Sequence, residues 1–409
     1  MSEILYLSYD GLLEPLGESQ VVSYLERLSP PYQLAVISFE KEQDLRDRGR
    51  VSQMETRLLA AGIRWTPLRY HRRPPVLSTA YDILRGIWCG VRWAARRSDW
   101  LVHARGYVAA VIALVLSRMC GGAFLFDMRG FWVDEKVDAG HWRRDGVLYV
   151  VGQWFERHFF QSADGIVSLT HAGVRSFPSL GCELRPHVAV EVIPTCVDLQ
   201  RFQLAPKDPD LLRKLDLGGR TVAGCVGTLS NWYLRRDTLD YLAFLSSQLD
   251  HLRVLIVTRD DHERLRADAE QCGVPADRLV LVRAEFRDMP SLIGLIDVGV
   301  FFIKACFSKK ASAATKLGEF LACGVPVVIN DGIGDSGSIV RDHSAGVVLP
   351  ELSADAFAAS IAPLRLLLRD PETPRRCRGA ASQHFDLRHG TAAYRRLYRA
   401  LLAGRQNRL

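Results

Sequence analysis

Short apolar runs rich in β-branched residues alternate along the chain with longer amphipathic stretches. This alternation predicts βαβ units, whose parallel strands are buried on both faces. Strands are absent from the pattern over Leu199–Gly219, where Pro206 and Pro209 stand, and the alternation then restarts. We therefore expect an α/β protein with two doubly wound domains. The predicted strands are Ile4–Tyr9, Gln33–Phe39, Trp65–Tyr70, Trp100–Ala104, Ala123–Asp127, Gly165–Leu169, Val190–Ile193, Thr221–Val226, Arg253–Val257, Leu279–Val282, Val298–Ile303, Val325–Ile329 and Gly346–Leu349.

The break near residue 200 sets the predicted domain boundary. Residues 1–198 are expected to form the N-terminal domain and residues 199–384 the C-terminal domain. In the tail, Tyr394, Leu397, Tyr398 and Leu401 follow the i, i+3, i+4, i+7 spacing of one helix face, which predicts an amphipathic helix within 385–404. Two alternatives stay open: this helix caps the second domain or packs back onto the first.

Composition limits the class of protein. Of 409 residues, 48% are hydrophobic and 24% charged, which is typical of a soluble globular chain and excludes disorder. No apolar run reaches the roughly 20 residues of a spanning helix, and the first residues lack the basic start of a secretion signal. Nine cysteines without metal-ligand spacing predict a cytoplasmic protein with no zinc site.

Positive charge is concentrated in part of the first domain. The net charge is +7, and Arg64–Arg105 holds nine arginines against only Asp82 and Asp99. Tryptophans interleave with these arginines, at positions 65, 88, 93 and 100. Arginine with tryptophan on one face suits an anionic membrane surface. The alternative is a solvated helix face whose tryptophans belong to the core, and we expect no nucleic-acid partner.

The segment after the predicted strand Val298–Ile303 points to an anion site. Lysines gather there, at positions 304, 309, 310 and 316, around the start of a predicted helix. Ser312 or Thr315 is expected to cap this helix, and Gly324 with Pro326 to end it. Free backbone N–H groups at a helix start, together with the helix dipole, bind anions.

Lys316 and Glu319 are three residues apart and share a helix face. A lysine that neutralises a pyrophosphate beside a carboxylate that accepts ribose hydroxyls would suit a nucleoside diphosphate. The alternative is an ion pair on the helix surface. Gly227 and Thr228, directly after the second domain's first strand, form a further candidate phosphate loop. Arg235 and Arg236 either reach the same anion or are solvated.

Several stretches resemble family-4 retaining glycosyltransferases of the GT-B fold. Thr315–Val328 is similar to the family's donor-binding helix, and Val192–Phe202 to its interdomain segment; Asp164–Thr170 agrees as well. Leu16–Gln20 is similar to the acceptor-side glycine loop of bacterial surface-polysaccharide members, and Phe126–Glu135 to a block of the same subgroup.

The resemblance implies two Rossmann-like domains facing across a cleft, with the donor on the second and the acceptor on the first. It implies transfer of a hexose from a UDP- or GDP-sugar to an acceptor hydroxyl, with retained configuration and without metal or other cofactor. The acceptor would be a glycan or a lipid-linked molecule in surface polysaccharide or glycoconjugate synthesis. The protein would be cytoplasmic, with peripheral attachment to the inner membrane face left open.

Candidate site residues follow from the motifs and the resemblance. The Arg-Gly turn after an apolar strand would hold a guanidinium for phosphate or sugar oxygens, and the carboxylates of the following loop would orient or deprotonate a hydroxyl. The alternatives are a structural Asp127–Arg129 pair and a core histidine at 103. The donor-binding candidates are Gly227, Thr228, Lys304, Lys309, Ser312, Thr315, Lys316 and Glu319. The catalytic candidates are Arg129, Asp127, Glu135 and Lys316, and the acceptor-binding candidates are Gly17, Gln20, His103 and Arg105.

One departure from the family keeps other functions open. The family often has a second glutamate eight positions before the one that matches Glu319, whereas this chain has Ala311. Two alternatives are therefore retained, a nucleotide-sugar 2-epimerase-like enzyme and a catalytically inactive nucleotide-sugar-binding protein.

Overall fold

The computed structural model describes residues 2–95, 97–186 and 188–406. The chain divides into two compact units. The first comprises Met1–Pro194, Lys310–Ser312 and Leu387–Leu409 as far as these are described, and the second comprises Thr195–Lys309 and Ala313–Asp386. Within the described ranges, no helix is both long and apolar enough to span a membrane.

The first unit is built on a seven-stranded parallel sheet with the order β3-β2-β1-β4-β5-β6-β7. Its strands are β1 (Glu3–Ser8), β2 (Gln33–Glu40), β3 (Arg64–Arg69), β4 (Trp100–Arg105), β5 (Ala123–Asp127), β6 (Gly165–Ser168) and β7 (Ala189–Val192). Its helices are α1 (Pro15–Gly17), α2 (Ser23–Leu28), α3 (Glu42–Arg46), α4 (Arg48–Ala60), α5 (Leu77–Ala94), α6 (Tyr107–Cys120), α7 (Trp132–Asp138), α8 (Val147–Ser162) and α9 (His171–Arg175).

The second unit contains a six-stranded parallel sheet with the order β10-β9-β8-β11-β12-β13. Its strands are β8 (Thr221–Val226), β9 (Leu252–Val257), β10 (Leu279–Val282), β11 (Val298–Val300), β12 (Val327–Asn330) and β13 (Gly346–Leu349). Its helices are α10 (Pro209–Lys214), α11 (Arg235–Gln248), α12 (His262–Gln271), α13 (Met289–Ile293), α14 (Thr315–Ala322), α15 (Ser336–Asp342), α16 (Ala354–Arg369) and α17 (Thr373–His384). The last helix, α18 (Leu387–Gln406), belongs to the first unit.

Both sheets have the burial expected of doubly wound parallel strands, and the predicted α/β class is confirmed. All residues of β4 and β5 are buried, which explains why these strands read as continuous apolar runs. The run Val298–Ile303 ends as a strand at Val300, because Ile303 instead forms an isolated antiparallel bridge with Tyr233.

The C-terminal helix α18 closes the first unit over β4 and β5. The four apolar residues that predicted this helix are all buried. Tyr398 places its hydroxyl 2.6 Å from Nδ1 of His103, and Tyr394 donates a 2.9 Å hydrogen bond to Asp127. Phe385 and Asp386 separate α18 from α17, so the predicted helix over 385–404 begins two residues later than expected.

We expect Tyr398→Phe to lower the free energy of unfolding by about 1–3 kcal/mol, because a buried nitrogen of His103 loses its partner. Chemical denaturation measures this change. Tyr81→Phe is the matched control, since its ring is 51% exposed, and it should change stability by less than about 0.5 kcal/mol. Equal stability of the Tyr398→Phe and wild-type proteins would contradict the assigned contact.

Candidate functional site

A glycine loop follows the first strand of the second unit. Gly227 has φ of +78°, a left-handed conformation that favours glycine, and a Cβ at this position would lie 3.7 Å from Lys316 Nζ. Asp260, beyond the end of β9, holds the loop by accepting hydrogen bonds from the Thr228 hydroxyl at 3.0 Å and the Leu229 amide at 2.9 Å. The loop is therefore fixed with its glycine beside the lysine.

Helix α14 carries the predicted Lys316–Glu319 pair. The helix begins at Thr315 with Ala314 as its N-cap, and no side chain caps it. The expectation that Ser312 or Thr315 caps the helix is therefore wrong, because the extended backbone residue before the first turn is an alanine. The first-turn amides are left without a side-chain acceptor, as an anion site at a helix start requires.

Lys316 is buried, and its ammonium group lies among neutral groups. Nζ is 3.4 Å from the carbonyl oxygen of Thr228, 3.4 Å from the ring centre of Tyr233 and 5.7 Å from that of Phe301. Among the described residues it forms no ion pair with a carboxylate, so the alternative of a Lys316–Glu319 surface ion pair does not fit this geometry. A buried ammonium that forms no ion pair is a preorganised site for an anion.

Two aromatic residues that the sequence analysis did not single out form the floor beneath the lysines. Trp232 lies under Lys309, with Nζ 3.6 Å from the ring centre, and Tyr233 lies under Lys316. Cation–π contacts of this kind hold an ammonium group without neutralising it. The one sequence signal for them is their position directly after the glycine loop.

The buried environment shifts the pKa values of both predicted donor-binding groups on α14. Burial lowers the pKa of Lys316 to about 8. Burial raises the pKa of Glu319 to about 7, although the positive charges of Lys316 and Arg201 oppose this shift. Perturbed values of this size cluster at functional sites.

The remaining donor-binding candidates lie in different parts of the structure. Lys304 is exposed at the end of the run Val298–Ile303, and Thr315 opens α14. Ser312 lies in a short segment that groups with the first unit. Arg235 pairs with Asp268 at 2.7 Å, and its Nε supports the loop by donating a 3.3 Å hydrogen bond to the carbonyl oxygen of Leu229.

Ala311 occupies the position of the family's second glutamate and is fully buried. Its methyl side chain offers no hydrogen-bonding group to a sugar.

In the first unit, Asp127 is the centre of a buried polar cluster. It accepts hydrogen bonds from Tyr394 at 2.9 Å and from His103 Nε2 at 3.4 Å, and Arg129 Nη1 lies 3.8 Å away. Burial by itself would raise the pKa of Asp127, but the charges of Arg129 and the hydrogen bond from His103 lower it to about 2. The carboxylate is fully buried, so this geometry favours the structural alternatives for Asp127 and His103.

Arg129 has a more exposed setting than Asp127. Its backbone φ is +57°, an uncommon left-handed conformation, and its side chain is partly accessible. Asp134 and Glu135 lie in the first turn of α7, not in the loop expected from the sequence. Glu135 is half-buried there.

The acceptor-binding candidates are largely buried. Arg105 ends β4 with Nε 4.0 Å from Asp10, and Gln20 is buried in a π-helical turn. Gly17 has helical backbone angles, and a Cβ there would meet the carbonyl oxygen of Gly11 at 2.0 Å. The missing side chain of Gly17 therefore serves close packing of the chain rather than approach of a ligand.

The described residues contain no group of three His, Cys, Asp or Glu side chains arranged to hold a metal ion. The expectation that the protein acts without a metal stays a prediction.

The second unit matches a known family. Residues 211–384 match the family model of the glycosyl transferases, group 1. We call residues 211–384, which match this model, the group 1 segment. The match includes Gly227, Lys316 and Glu319, and it supports the prediction of a glycosyltransferase that uses a nucleotide sugar. No curated protein matches the chain.

Solved structures match nearly the whole chain, including the group 1 segment. Sucrose-phosphate synthase from Thermosynechococcus elongatus has a TM-score of 0.73 at 15% identity, covering 99% of this chain and 100% of that chain. Anabaena HepE in complex with UDP and glucose has a TM-score of 0.70 at 15% identity, covering 97% and 99%. WaaG, a glycosyltransferase involved in lipopolysaccharide biosynthesis, has a TM-score of 0.66 at 13% identity, covering 95% and 98%. At these identities the likeness shows the fold, and it confirms the predicted GT-B fold.

The pKa of Lys316 predicts how nucleoside diphosphate binding to the group 1 segment depends on pH. Only the ammonium form attracts the diphosphate, so above about pH 8 the affinity for UDP or GDP should fall, approaching tenfold per pH unit. Lys316→Ala should weaken binding at pH 7 by about 10- to 100-fold and remove this decline. Calorimetry between about pH 7 and pH 9.5 measures both effects.

Lys214→Ala is the matched control, because Lys214 is exposed at the end of α10 and lies away from the loop. It should bind like the wild-type protein at every pH. Unchanged affinity in Lys316→Ala would remove the diphosphate site from α14.

Proposed function

We propose that the protein transfers a hexose from a UDP- or GDP-sugar to an acceptor hydroxyl, with retention of configuration and without a metal. The second unit binds the donor and the first unit binds the acceptor. The observation that carries this proposal is the buried, unneutralised ammonium of Lys316 beside Gly227.

The second unit offers groups for the diphosphate and for the ribose of a nucleoside diphosphate. Lys316 and the uncapped amides of α14 bind the diphosphate, with Lys309 held nearby on Trp232. Glu319, one helical turn further on and partly exposed, accepts hydrogen bonds from the ribose hydroxyls. This division of roles follows the resemblance and matches the geometry of α14.

Departure of the sugar leaves additional negative charge on the diphosphate. Fixed donors aimed at that charge stabilise the transition state more strongly in a buried site than in water. Lys316 is such a donor, because no carboxylate among the described residues competes for it. Metal-independent transfer is proposed on this ground.

A role in surface polysaccharide or glycoconjugate synthesis is proposed for the chain as a whole. The first-domain stretches that resemble surface-polysaccharide enzymes support it, as does the fold shared with WaaG, whose described role is in lipopolysaccharide biosynthesis. Arg129 is the proposed first-unit group for phosphate or sugar oxygens. Glu135 is proposed to orient the acceptor.

Turnover of candidate donors tests the function. Incubation with UDP- and GDP-hexoses should release free nucleoside diphosphate only when a lipid-linked or glycan acceptor is added, and the product should keep the donor's anomeric configuration by NMR. Interconversion of the sugars without an acceptor would support the 2-epimerase-like alternative. Tight donor binding without turnover would support the inactive binding protein.

The exposed apolar residues support peripheral attachment to a membrane. Leu77, Tyr81, Leu84 and Trp88 lie along one face of α5 and are each at least 51% exposed. Arg92 stacks on Trp88, with 4.8 Å between the guanidinium carbon and the ring centre. Of the tryptophans in the basic stretch, Trp100 is instead fully buried in the core, so the interleaving seen in the sequence only partly forms one face.

A second apolar face lies on α8, which the sequence analysis did not identify. Val147, Val150, Val151 and Trp154 are each at least 45% exposed there. Helix α6 packs against both α5 and α8, so the two faces belong to one helical layer of the first unit. We propose that this layer rests on the anionic inner face of the cell membrane.

Vesicle sedimentation tests the membrane surface. The double variant Leu84→Ser, Trp88→Ser should reduce binding to phosphatidylglycerol vesicles about tenfold or more, because two large apolar side chains no longer enter the interface. Leu366→Ser is the matched control, with its side chain 70% exposed on the second unit. Equal binding by the wild-type and double-variant proteins would leave α5 as ordinary surface.

Substitution of an arginine in the basic stretch provides a second test of the same membrane surface. Arg92→Gln should weaken sedimentation at low salt and have little effect at high salt. Arg97 is not suited to the same substitution, because it already pairs with Glu3 at 2.9 Å, and Arg96 lies outside the described residues.

A further inference from the structure

A histidine–aspartate pair lies in the first unit apart from the Asp127 cluster. Nδ1 of His71 is 2.6 Å from Oδ1 of Asp82, which is fully buried on α5. The other carboxylate oxygen of Asp82 accepts hydrogen bonds from the backbone amide of His71 and from the hydroxyl of Tyr9, each at 3.0 Å. The histidine is therefore held by its backbone and its ring together.

This arrangement sets the chemistry of the imidazole. The Asp82 carboxylate can only accept a hydrogen bond, so Nδ1 of His71 donates to it, and in the neutral imidazole Nε2 then presents a lone pair. The His71 side chain is 27% exposed, and no group among the described residues hydrogen-bonds to Nε2. A fixed imidazole with a free lone pair is suited to accept a hydrogen bond from a hydroxyl group.

The pair lies at the edge of the sheet where α/β proteins bind ligands. Tyr9 directly follows β1, and His71 comes two residues after the end of β3, so both stand beyond the carboxyl ends of parallel strands. The ring of Tyr9 packs against that of Tyr70, with 5.4 Å between the ring centres, which further fixes this edge.

Cationic residues and then apolar residues follow His71 along the chain. Arg72 and Arg73 follow it, and both are exposed with no ion pair to a carboxylate in the described part of the chain. The exposed apolar face of α5 begins at Leu77. A hydroxyl acceptor, two cations and an apolar face thus follow one another along a short segment.

We propose that this segment is the acceptor subsite and that its ligand is a sugar linked through phosphate to a lipid. His71 Nε2 accepts a hydrogen bond from a sugar hydroxyl, Arg72 and Arg73 bind the phosphate, and the lipid lies along α5. His71 and Asp82 act here by positioning the acceptor. The inference rests on the proposed function and specifies the class of acceptor.

Binding of defined probes tests the subsite without requiring turnover. The probes are decyl diphosphate-linked glucose, galactose, mannose and N-acetylglucosamine, and calorimetry measures their affinities. We expect the wild-type protein to bind at least one of them, and His71→Asn to bind that probe about tenfold more weakly, because one hydrogen bond is lost. Binding of none of the four by the wild-type protein would overturn the proposal.

His71→Asn is chosen because its amide can still donate to Asp82 while no atom replaces Nε2. Its thermal unfolding should therefore match that of the wild-type protein. The control His141→Asn changes an exposed histidine before α8 and should bind the probe normally. Equal affinity of the His71→Asn and wild-type proteins for the probe would contradict the role of Nε2.

A separate binding measurement tests the proposed contact of Arg72 and Arg73 with phosphate. The double variant Arg72→Gln, Arg73→Gln should lose affinity for the diphosphate probe and keep its affinity for the decyl glycoside of the same sugar, which has no phosphate. Equal losses for both ligands would overturn the phosphate assignment.

UDP binding, measured on the same preparations, separates this proposal from the donor site. It should be unchanged in every variant of the segment. Failure of the wild-type protein to bind either UDP or GDP would count against the proposed function, whereas failure of the probes counts against the acceptor subsite.

Discussion

The second unit depends on an ammonium group that the fold buries without neutralising it. Removal of a charge from water is costly, and folded proteins usually pair such a charge with a carboxylate. Lys316 instead meets a carbonyl oxygen and two aromatic rings, and its pKa is lowered to about 8. The positive charge of Lys316 is therefore available to a bound anion, and the proposed donor site is preorganised before a ligand binds.

The parts around Lys316 serve this arrangement. Gly227 takes a left-handed conformation that leaves space beside Nζ, and Asp260 holds the loop by accepting from Thr228 and Leu229. Asp260 therefore directs its hydrogen bonds to the loop, and among the described residues it forms no ion pair with Lys316. Arg235 pairs with two carboxylates, Asp268 at 2.7 Å and Asp260 at 3.6 Å.

The buried carboxylates of the first unit, in contrast to Lys316, have hydrogen-bond donors beside them. Both oxygens of Asp82 accept hydrogen bonds, from Tyr9 and His71. Asp127 Oδ2 accepts from Tyr394 and His103, whereas Asp127 Oδ1 is buried without a hydrogen bond and lies 3.8 Å from Arg129 Nη1. Buried anions of this kind orient neighbours and are poorly placed to react. Among the more accessible groups of the first unit, His71, Arg72 and Arg73 directly precede the apolar face of α5. This distribution suits a unit that receives an amphiphilic molecule.

Much of the fold was predictable from the sequence, because parallel strands buried on both faces read as apolar runs and helix faces repeat every three to four residues. The neighbourhood of Lys316 and Glu319 was predictable for the same local reason. Strand ends were less so: Ile303 belongs by composition to β11, but its pairing with Tyr233 ends the strand early.

The tertiary structure alone decided what these residues face. The carbonyl oxygen beside Lys316 comes from 88 residues earlier in the chain, and the tyrosine that hydrogen-bonds to Asp127 from 267 residues later. The pairing of His71 with Asp82 likewise joins a loop to a helix. Burial and partnership are properties of the packed molecule, because they arise when distant segments exclude water from one another. The sequence by itself determined the residue types and their periodicity. Folding determined whether a charged group is paired or remains available to a ligand.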